Sequence, residues 1–158
     1  MKPVFFVSAA LFLLLLANGK NLGGIGALKK SRFLPPYAPD GSATFSDMRG
    51  RSGVYVIKRD GVIVYVGYSS TNLYRTLYRH FQRWSHPSQE VVTYVNDRGV
   101  FTVRVLLCSP AQAKRYEVAL VRKYRPRDNA RKMSSMDLSD KEEKRLVSNY
   151  GRAEDAPF

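Results

Sequence analysis

Two tripeptides constrain the fold of this chain most strongly, Gly53-Val54-Tyr55 and Tyr65-Val66-Gly67. They lie in runs of β-forming residues over 54–58 and 62–68, and Asp60-Gly61 lies between the runs. An Asp-Gly pair between two such runs is the strongest short-range signal for a β-hairpin. The hairpin would bring two tyrosines, each near a glycine, onto neighbouring strands.

The rest of the chain predicts further helices and strands around this hairpin. Apolar residues at helical spacing predict a helix over 73–84, and β-rich runs over 91–95 and 100–108 predict a second hairpin. Helices are predicted over 110–124, with proline in the first turn, and over 140–149, after a Ser-Asp-Lys-Glu capping box. The order β-β-α-β-β-α predicts an α+β domain with a small antiparallel or mixed sheet and flanking helices.

The N-terminal residues 1–32 form a separate hydrophobic segment with a basic flank. Residues 4–17 are an apolar run broken only by Ser8, which is the length of a signal-peptide core. The run is interpreted either as a cleaved signal peptide or as an uncleaved helical anchor through residues 4–28. Positive charge after the run favours an anchored protein with its main domain in the cytoplasm. Residues 33–51, rich in proline and glycine, are interpreted as a linker, and residues 131–158 as a charged tail.

The charge of the chain favours a polyanionic partner. The formal net charge is +13 and the sequence pI is about 10.1. Such a field attracts nucleic acid first and an anionic membrane second. Basic residues alternate with aromatic residues over 74–84, which favours nucleic acid. The single cysteine, Cys108, excludes an intrachain disulfide and a cysteine-based zinc cluster.

Glu117 is the strongest candidate for a metal ligand. Helical spacing places it on a mainly apolar face, where a carboxylate is costly unless it is paired or bound to a cation. A salt bridge to an arginine is the ordinary explanation. The alternative is a Mg²⁺ ion held by one carboxylate, waters and phosphate oxygens.

Residues 52–130 resemble a GIY-YIG nuclease domain. The resemblance depends on the two tripeptides, on His80-Phe81 in the following helix, on Glu117, and on Asn129 shortly after Pro126. It implies a DNA endonuclease that requires Mg²⁺ or Mn²⁺.

The resemblance also implies a role for each matching residue. Tyr55 would act as the general base on the attacking water, and Tyr65 would position that water or share the role. Glu117 would hold the metal ion and Asn129 would brace the site. His80 is interpreted either as a hydrogen-bonded structural residue or as a catalytic one.

The chain departs from the family pattern at Thr76, where the family usually carries a catalytic arginine. On a helical wheel Arg79 lies one turn away, and it is the predicted replacement. Arg75 and Arg83 are predicted to contact nucleic acid, as are Lys114, Arg115 and Arg122 in the basic segment around Glu117. Two alternatives stay open: an inactive nucleic-acid-binding module, suggested by Thr76, and a basic membrane-surface protein, suggested by the N-terminus.

Overall fold

A computed structural model of the protein describes residues 32–83, 91–96, 98–129 and 136–152. The hydrophobic helix predicted through residues 4–28 lies outside these ranges. Within them, no helix combines the length and the hydrophobicity that a membrane crossing requires.

A three-stranded antiparallel sheet forms the centre of the fold. Its strands are β1 (Gly53–Arg59), β2 (Val62–Ser69) and β3 (Phe101–Leu107), in the spatial order β2-β1-β3. The turn between β1 and β2 has positive φ at Asp60 (48°) and Gly61 (80°). Positive φ at both central residues is what a two-residue type I′ hairpin requires. The predicted hairpin is therefore confirmed.

In the described parts of the chain, three helices accompany the sheet: α1 (Leu73–Tyr78), α2 (Pro110–Tyr124) and α3 (Asp140–Gly151). Ser109 and Gln112 cap the start of α2 reciprocally, and Arg125 ends it in the left-handed conformation. Ser139 caps the start of α3 by accepting a hydrogen bond from the backbone N–H of Glu142. Local capping signals thus fix the helix starts predicted at residues 110 and 140, which are confirmed.

The sheet buries both of its faces, which confirms the predicted α+β class. One face packs against α1 and against residues 34–48, and the other packs beneath α2 and α3. The first face carries Tyr55, Ile57, Tyr65, Val103 and Val105, and the second carries Val54, Val56, Val66 and Leu106.

The helix predicted over 73–84 is shorter than its apolar spacing suggested. It ends at Tyr78, a 3₁₀ turn follows over Arg79–Phe81, and Gln82 is extended. The carbonyl of His80 accepts a hydrogen bond from the backbone N–H of Tyr94. A contact with a distant segment therefore replaces the helical bond that would continue α1. Arg83 lies beyond the helix, so its predicted place in that helix was wrong.

The prediction of a strand over 91–95 is also wrong. These residues form no strand and lie against the end of α1, with the Tyr94 side chain buried in the core. The second hairpin is consequently absent from the described sheet, which has three strands.

The stretch interpreted as a linker is folded onto the sheet. Phe45 and Met48 are buried, and Leu34 pairs with Val103 of β3. The hydroxyl of Tyr78 donates to the Pro36 carbonyl at 2.8 Å and accepts from the Phe45 N–H at 2.9 Å. Residues 34–48 are therefore part of the same core as α1.

Candidate active site

The two glycines of the tripeptides are required by close packing. Tyr55 of β1 is paired with Gly67 of β2. A Cβ at residue 67 would lie 2.5 Å from Oη and 2.6 Å from Cζ of Tyr55. A Cβ at Gly53 would meet the Leu106 carbonyl and the Leu73 side chain at forbidden distances. Gly67 therefore leaves the space that the phenol of Tyr55 occupies, and Gly53 allows β1 to approach β3 and α1.

A chain of two hydrogen bonds orients the phenol of Tyr55. Nδ1 of His80 lies 2.7 Å from the Val92 carbonyl oxygen, and Nε2 of His80 lies 2.8 Å from Oη of Tyr55. A carbonyl oxygen can only accept, so Nδ1 carries the proton in the neutral ring. Nε2 then has a free lone pair, and the Tyr55 hydroxyl donates to it. His80 is thus placed to receive the proton of Tyr55.

Tyr65 completes an aromatic group around this hydrogen bond. Its ring stacks on Tyr55 with a centroid distance of 6.2 Å and lies 4.6 Å from the His80 ring. All three side chains are at most 6% exposed. Water is largely excluded from their contacts, which strengthens the electrostatic interactions among them.

Glu117 of α2 acts electrostatically on both phenols. Burial raises the pKa of Tyr55 well above its usual value of about 10, and Tyr65 and Glu117 raise it further. Burial also raises the pKa of Tyr65 to about 12, again with a contribution from Glu117. The carboxylate on α2 is therefore within electrostatic range of both phenols. It favours their neutral forms, and a cation beside it would have the opposite effect.

A site with Glu117 as its protein ligand suits a hard cation such as Mg²⁺ better than a metal that needs several protein ligands. The described residues contain no group of three or more His, Cys, Asp or Glu side chains that could hold a metal ion. Mg²⁺ usually keeps several waters and binds one or two carboxylates together with substrate phosphates. Glu117 is half-buried and can supply the one carboxylate of such a ligand set. Glu117 would hold Mg²⁺ or Mn²⁺ here.

Asn129 fixes the edge of β2 next to Tyr65. It lies in a 3₁₀ turn over Arg127–Asn129 and is 2% exposed. Its Oδ1 accepts from the Val66 N–H at 2.8 Å, and its Nδ2 donates to the Val66 carbonyl at 2.7 Å. The side chain thereby pairs with the edge strand as a neighbouring strand would, and it holds the backbone on which Tyr65 is carried.

The three candidate arginines differ in exposure. Arg75 is exposed on α1, Arg83 is exposed beyond the 3₁₀ turn, and Arg79 is half-buried beside His80. Nε of Arg79 is buried, so this side chain lies along the protein. Thr76 donates from Oγ1 to Oγ of Ser69 at 3.0 Å, at the end of β2. Of the three arginines, Arg79 is the one that directly precedes His80 in the sequence.

Two of the basic residues predicted to contact nucleic acid have partners on α3. Arg115 forms a two-pronged ion pair with Glu142, with an Nε–Oε1 distance of 2.6 Å. Arg122 contacts Glu143 at 3.5 Å and donates to the Met136 carbonyl at 2.7 Å. These contacts attach α3 to α2. Lys114 is exposed on the outer surface of α2.

Sequence reasoning missed two residues that adjoin the site, Tyr94 and Asp128. The hydroxyl of Tyr94 donates to Oδ2 of Asp128 at 2.7 Å, and its ring lies 6.0 Å from that of His80. The available signal was the position of Asp128 directly before Asn129. Tyr94 carried no such signal, because the pattern of its segment predicts a strand.

The structure therefore gathers five of the predicted site residues around the hairpin: Tyr55, Tyr65, His80, Glu117 and Asn129. Comparisons of the chain with models of known protein families, with curated proteins and with solved structures found no match. The geometry of the site is consequently the basis for a functional proposal.

Proposed function

We propose that the protein is a divalent-metal-dependent DNA endonuclease in which residues 52–130 form a GIY-YIG nuclease domain. The observation that carries the proposal is the chain from Tyr55 through His80 to the Val92 carbonyl. It gives a buried phenol a fixed proton acceptor, beside a second tyrosine and within electrostatic range of a carboxylate. A buried structural tyrosine also needs a hydrogen-bond partner, so the combination of histidine, second tyrosine and carboxylate is what favours a catalytic role.

The hydrogen-bond chain supports a proton relay. The raised pKa of Tyr55 keeps its phenol neutral near pH 7, so the phenol alone is a poor base. Tyr55 would take a proton from the attacking water as its own proton passes to Nε2 of His80. The hydroxide forms a bond to phosphorus and the bond from phosphorus to the leaving oxygen breaks. The transferred proton ends on His80, whose imidazolium the Val92 carbonyl stabilises.

Positive charge at the phosphate is the second requirement. A divalent cation held by Glu117 supplies Lewis-acid stabilisation of the leaving oxygen when it is bound. Arg79 would bind the phosphate oxygens, since a guanidinium can donate two parallel hydrogen bonds to them. Arg75, Arg83 and Lys114 are exposed and would contact the DNA backbone outside the scissile phosphate.

An inactive nucleic-acid-binding module is the second candidate. Thr76 favours it, because this residue replaces the family arginine and is hydrogen-bonded to Ser69. The charge of +13 supports DNA binding under either proposal. Anchoring in a membrane through residues 4–28, with the domain in the cytoplasm, stays a prediction.

Cleavage by the full chain tests the proposal. Supercoiled plasmid, flap and single-stranded substrates are incubated with Mg²⁺, with Mn²⁺ and with a chelator. We expect nicking only with the metal, and a loss of at least ~10²-fold in the single-turnover rate of Glu117→Gln at unchanged DNA affinity. Glu143→Gln is the matched control, since it makes the same change at a half-buried carboxylate on α3.

The outcomes separate the two candidates. Binding without cleavage by the wild type under every metal condition would favour the inactive module. Normal cleavage by Glu117→Gln would show that the metal site is elsewhere.

A further inference from the structure

Tyr94 and Asp128 form a hydrogen bond that the proposed reaction does not use. Tyr94 is 8% exposed and its hydroxyl donates to Oδ2 of Asp128 at 2.7 Å. The two residues come from segments far apart in the chain, one after α1 and one after α2. Burial and the neighbouring carboxylate raise the pKa of Tyr94, so the hydroxyl keeps its proton and remains a donor.

The segment that carries Tyr94 holds His80 at two points. The Tyr94 N–H donates to the His80 carbonyl, and the Val92 carbonyl accepts from Nδ1 of the His80 ring. The position of Val92 relative to the ring therefore depends on where Tyr94 is held. The ring of Tyr94 also packs against Phe81 and Phe101, with centroid distances of 6.0 and 4.6 Å.

The other end of the hydrogen bond is attached to the hairpin. Asp128 directly precedes Asn129, whose amide makes both hydrogen bonds to the backbone of Val66. Val66 follows Tyr65 in β2. The bond from Tyr94 to Asp128 thus links the segment that holds His80 to the strand that carries Tyr65.

We propose that Tyr94 and Asp128 are positioning residues that hold the Val92 carbonyl on Nδ1 of His80 and thereby fix the ring in its Nδ1–H tautomer. The effect of this positioning on the rate of DNA cleavage rests on the proposed nuclease function, whereas its effect on the tautomer of His80 does not.

The tautomer decides whether Tyr55 has a proton acceptor. A free histidine side chain favours the proton on Nε2. In that form Nε2 would donate to Oη of Tyr55, and the phenol could no longer pass its proton to His80. The hydrogen bond made by the other ring nitrogen selects the tautomer. Loosening of Val92 would therefore remove the acceptor without removing any group that contacts substrate.

Nitrogen-15 NMR of the histidine rings in the full chain tests the proposal. The chain has two histidines, and the variant His86→Gln assigns the remaining ring signals to His80. We expect an Nδ1–H tautomer in the wild type and a mixture in Tyr94→Phe and Asp128→Ala. Asp128→Asn keeps an oxygen that can accept from Tyr94 and should restore the wild-type tautomer. Tyr74→Phe, which removes a hydroxyl from the neighbouring α1, should leave it unchanged.

Single-turnover cleavage supplies the second measurement. Tyr94→Phe and Asp128→Ala should lose roughly 10- to 100-fold in rate at saturating DNA, the range typical of residues that orient a functional side chain through hydrogen bonds. DNA affinity should not change, and Asp128→Asn should recover most of the rate.

The two measurements distinguish failure of this proposal from failure of the nuclease function. An unchanged tautomer in Tyr94→Phe and Asp128→Ala overturns the positioning role, whatever the cleavage rate. A changed tautomer with an unchanged rate overturns its catalytic importance. A changed tautomer in the two variants, together with a wild-type protein that does not cleave DNA, supports the positioning role and contradicts the nuclease function.

Discussion

Replacement of Gly67 by alanine tests the packing on which the candidate site depends. The new Cβ would lie 2.5 Å from Oη of Tyr55, whereas ordinary contact begins at 3.4 Å. The phenol must therefore move by about 0.9 Å, the difference between these two distances. Tyr55 is 2% exposed, so the movement must be absorbed inside the core. Overpacking of this kind costs about 1–3 kcal/mol of unfolding free energy.

The same displacement should slow cleavage. A shift of about 1 Å in a catalytic group can cost about 10²-fold in rate. We expect Gly67→Ala to lose that factor in single-turnover nicking and to unfold at lower urea concentration than the wild type. Gly99→Ala is the matched control, because a Cβ there meets nothing within 4 Å. It should change neither the midpoint of unfolding nor the rate.

A double mutant shows whether Tyr55 causes the loss of stability. The shorter side chain in Tyr55→Leu leaves the space beside residue 67 open. Gly67→Ala should therefore cost less in the Tyr55→Leu background than in the wild type. If Gly67→Ala is as stable as Gly99→Ala, the phenol does not lie across residue 67 and the geometry of the site is refuted.

Three further predictions concern the residues around the site. Asn129→Ala should lower the unfolding free energy by at least about 2 kcal/mol in urea denaturation, since it leaves two buried groups of Val66 unpaired; a smaller loss than in an exposed Asn96→Ala control would contradict this. The pKa of Tyr65 is raised from about 10 in the unfolded chain to about 12 in the folded protein, so the resulting stability is complete below pH 10 and is lost as the pH rises toward 12. Tyr65→Phe should therefore reduce the decline of the unfolding free energy in this range by about 1.4 kcal/mol per pH unit. An unchanged slope would argue against the raised pKa. Arg115→Ala should lower the midpoint of thermal unfolding only slightly, because its ion pair is partly exposed; a marked lowering would show that α3 depends on it.

The sequence predicted the elements whose signals are local. Asp60-Gly61 carries the positive φ values of the hairpin, and serines at 109 and 139 cap their helices. The turn alone would pair Tyr55 with Val66, since Arg59 pairs with Val62 and Lys58 with Ile63. A bulge between Ile57 and Lys58 shifts the register by one residue and pairs Tyr55 with Gly67. The hairpin is therefore predictable from the local sequence, whereas the placement of Tyr55 and Tyr65 on one face of the sheet depends on the bulge.

The remaining features depend on contacts between distant segments. Just after α1 the His80 carbonyl accepts from the Tyr94 N–H, a long-range contact that no local pattern indicates. Residues 34–48 are joined to α1 by the two hydrogen bonds of the Tyr78 hydroxyl, and Arg115 pairs with a helix that begins 25 residues later, at Asp140. The tautomer of His80 depends on the backbone carbonyl of Val92. Every residue has such a carbonyl, so the sequence does not indicate which residue supplies it.

The pH dependence of cleavage is a direct test of Tyr55 as the group that accepts the proton of water. Single-turnover rates of the wild type and of Tyr55→Phe are measured at saturating DNA and Mg²⁺ from pH 6 to about pH 9. We expect a wild-type rate that increases with pH across this range, because the relay needs an unprotonated Nε2 on His80, and a Tyr55→Phe variant that binds DNA equally well and lacks this increase. An identical profile in the two proteins would contradict the assignment of Tyr55 as the group that accepts the proton of water.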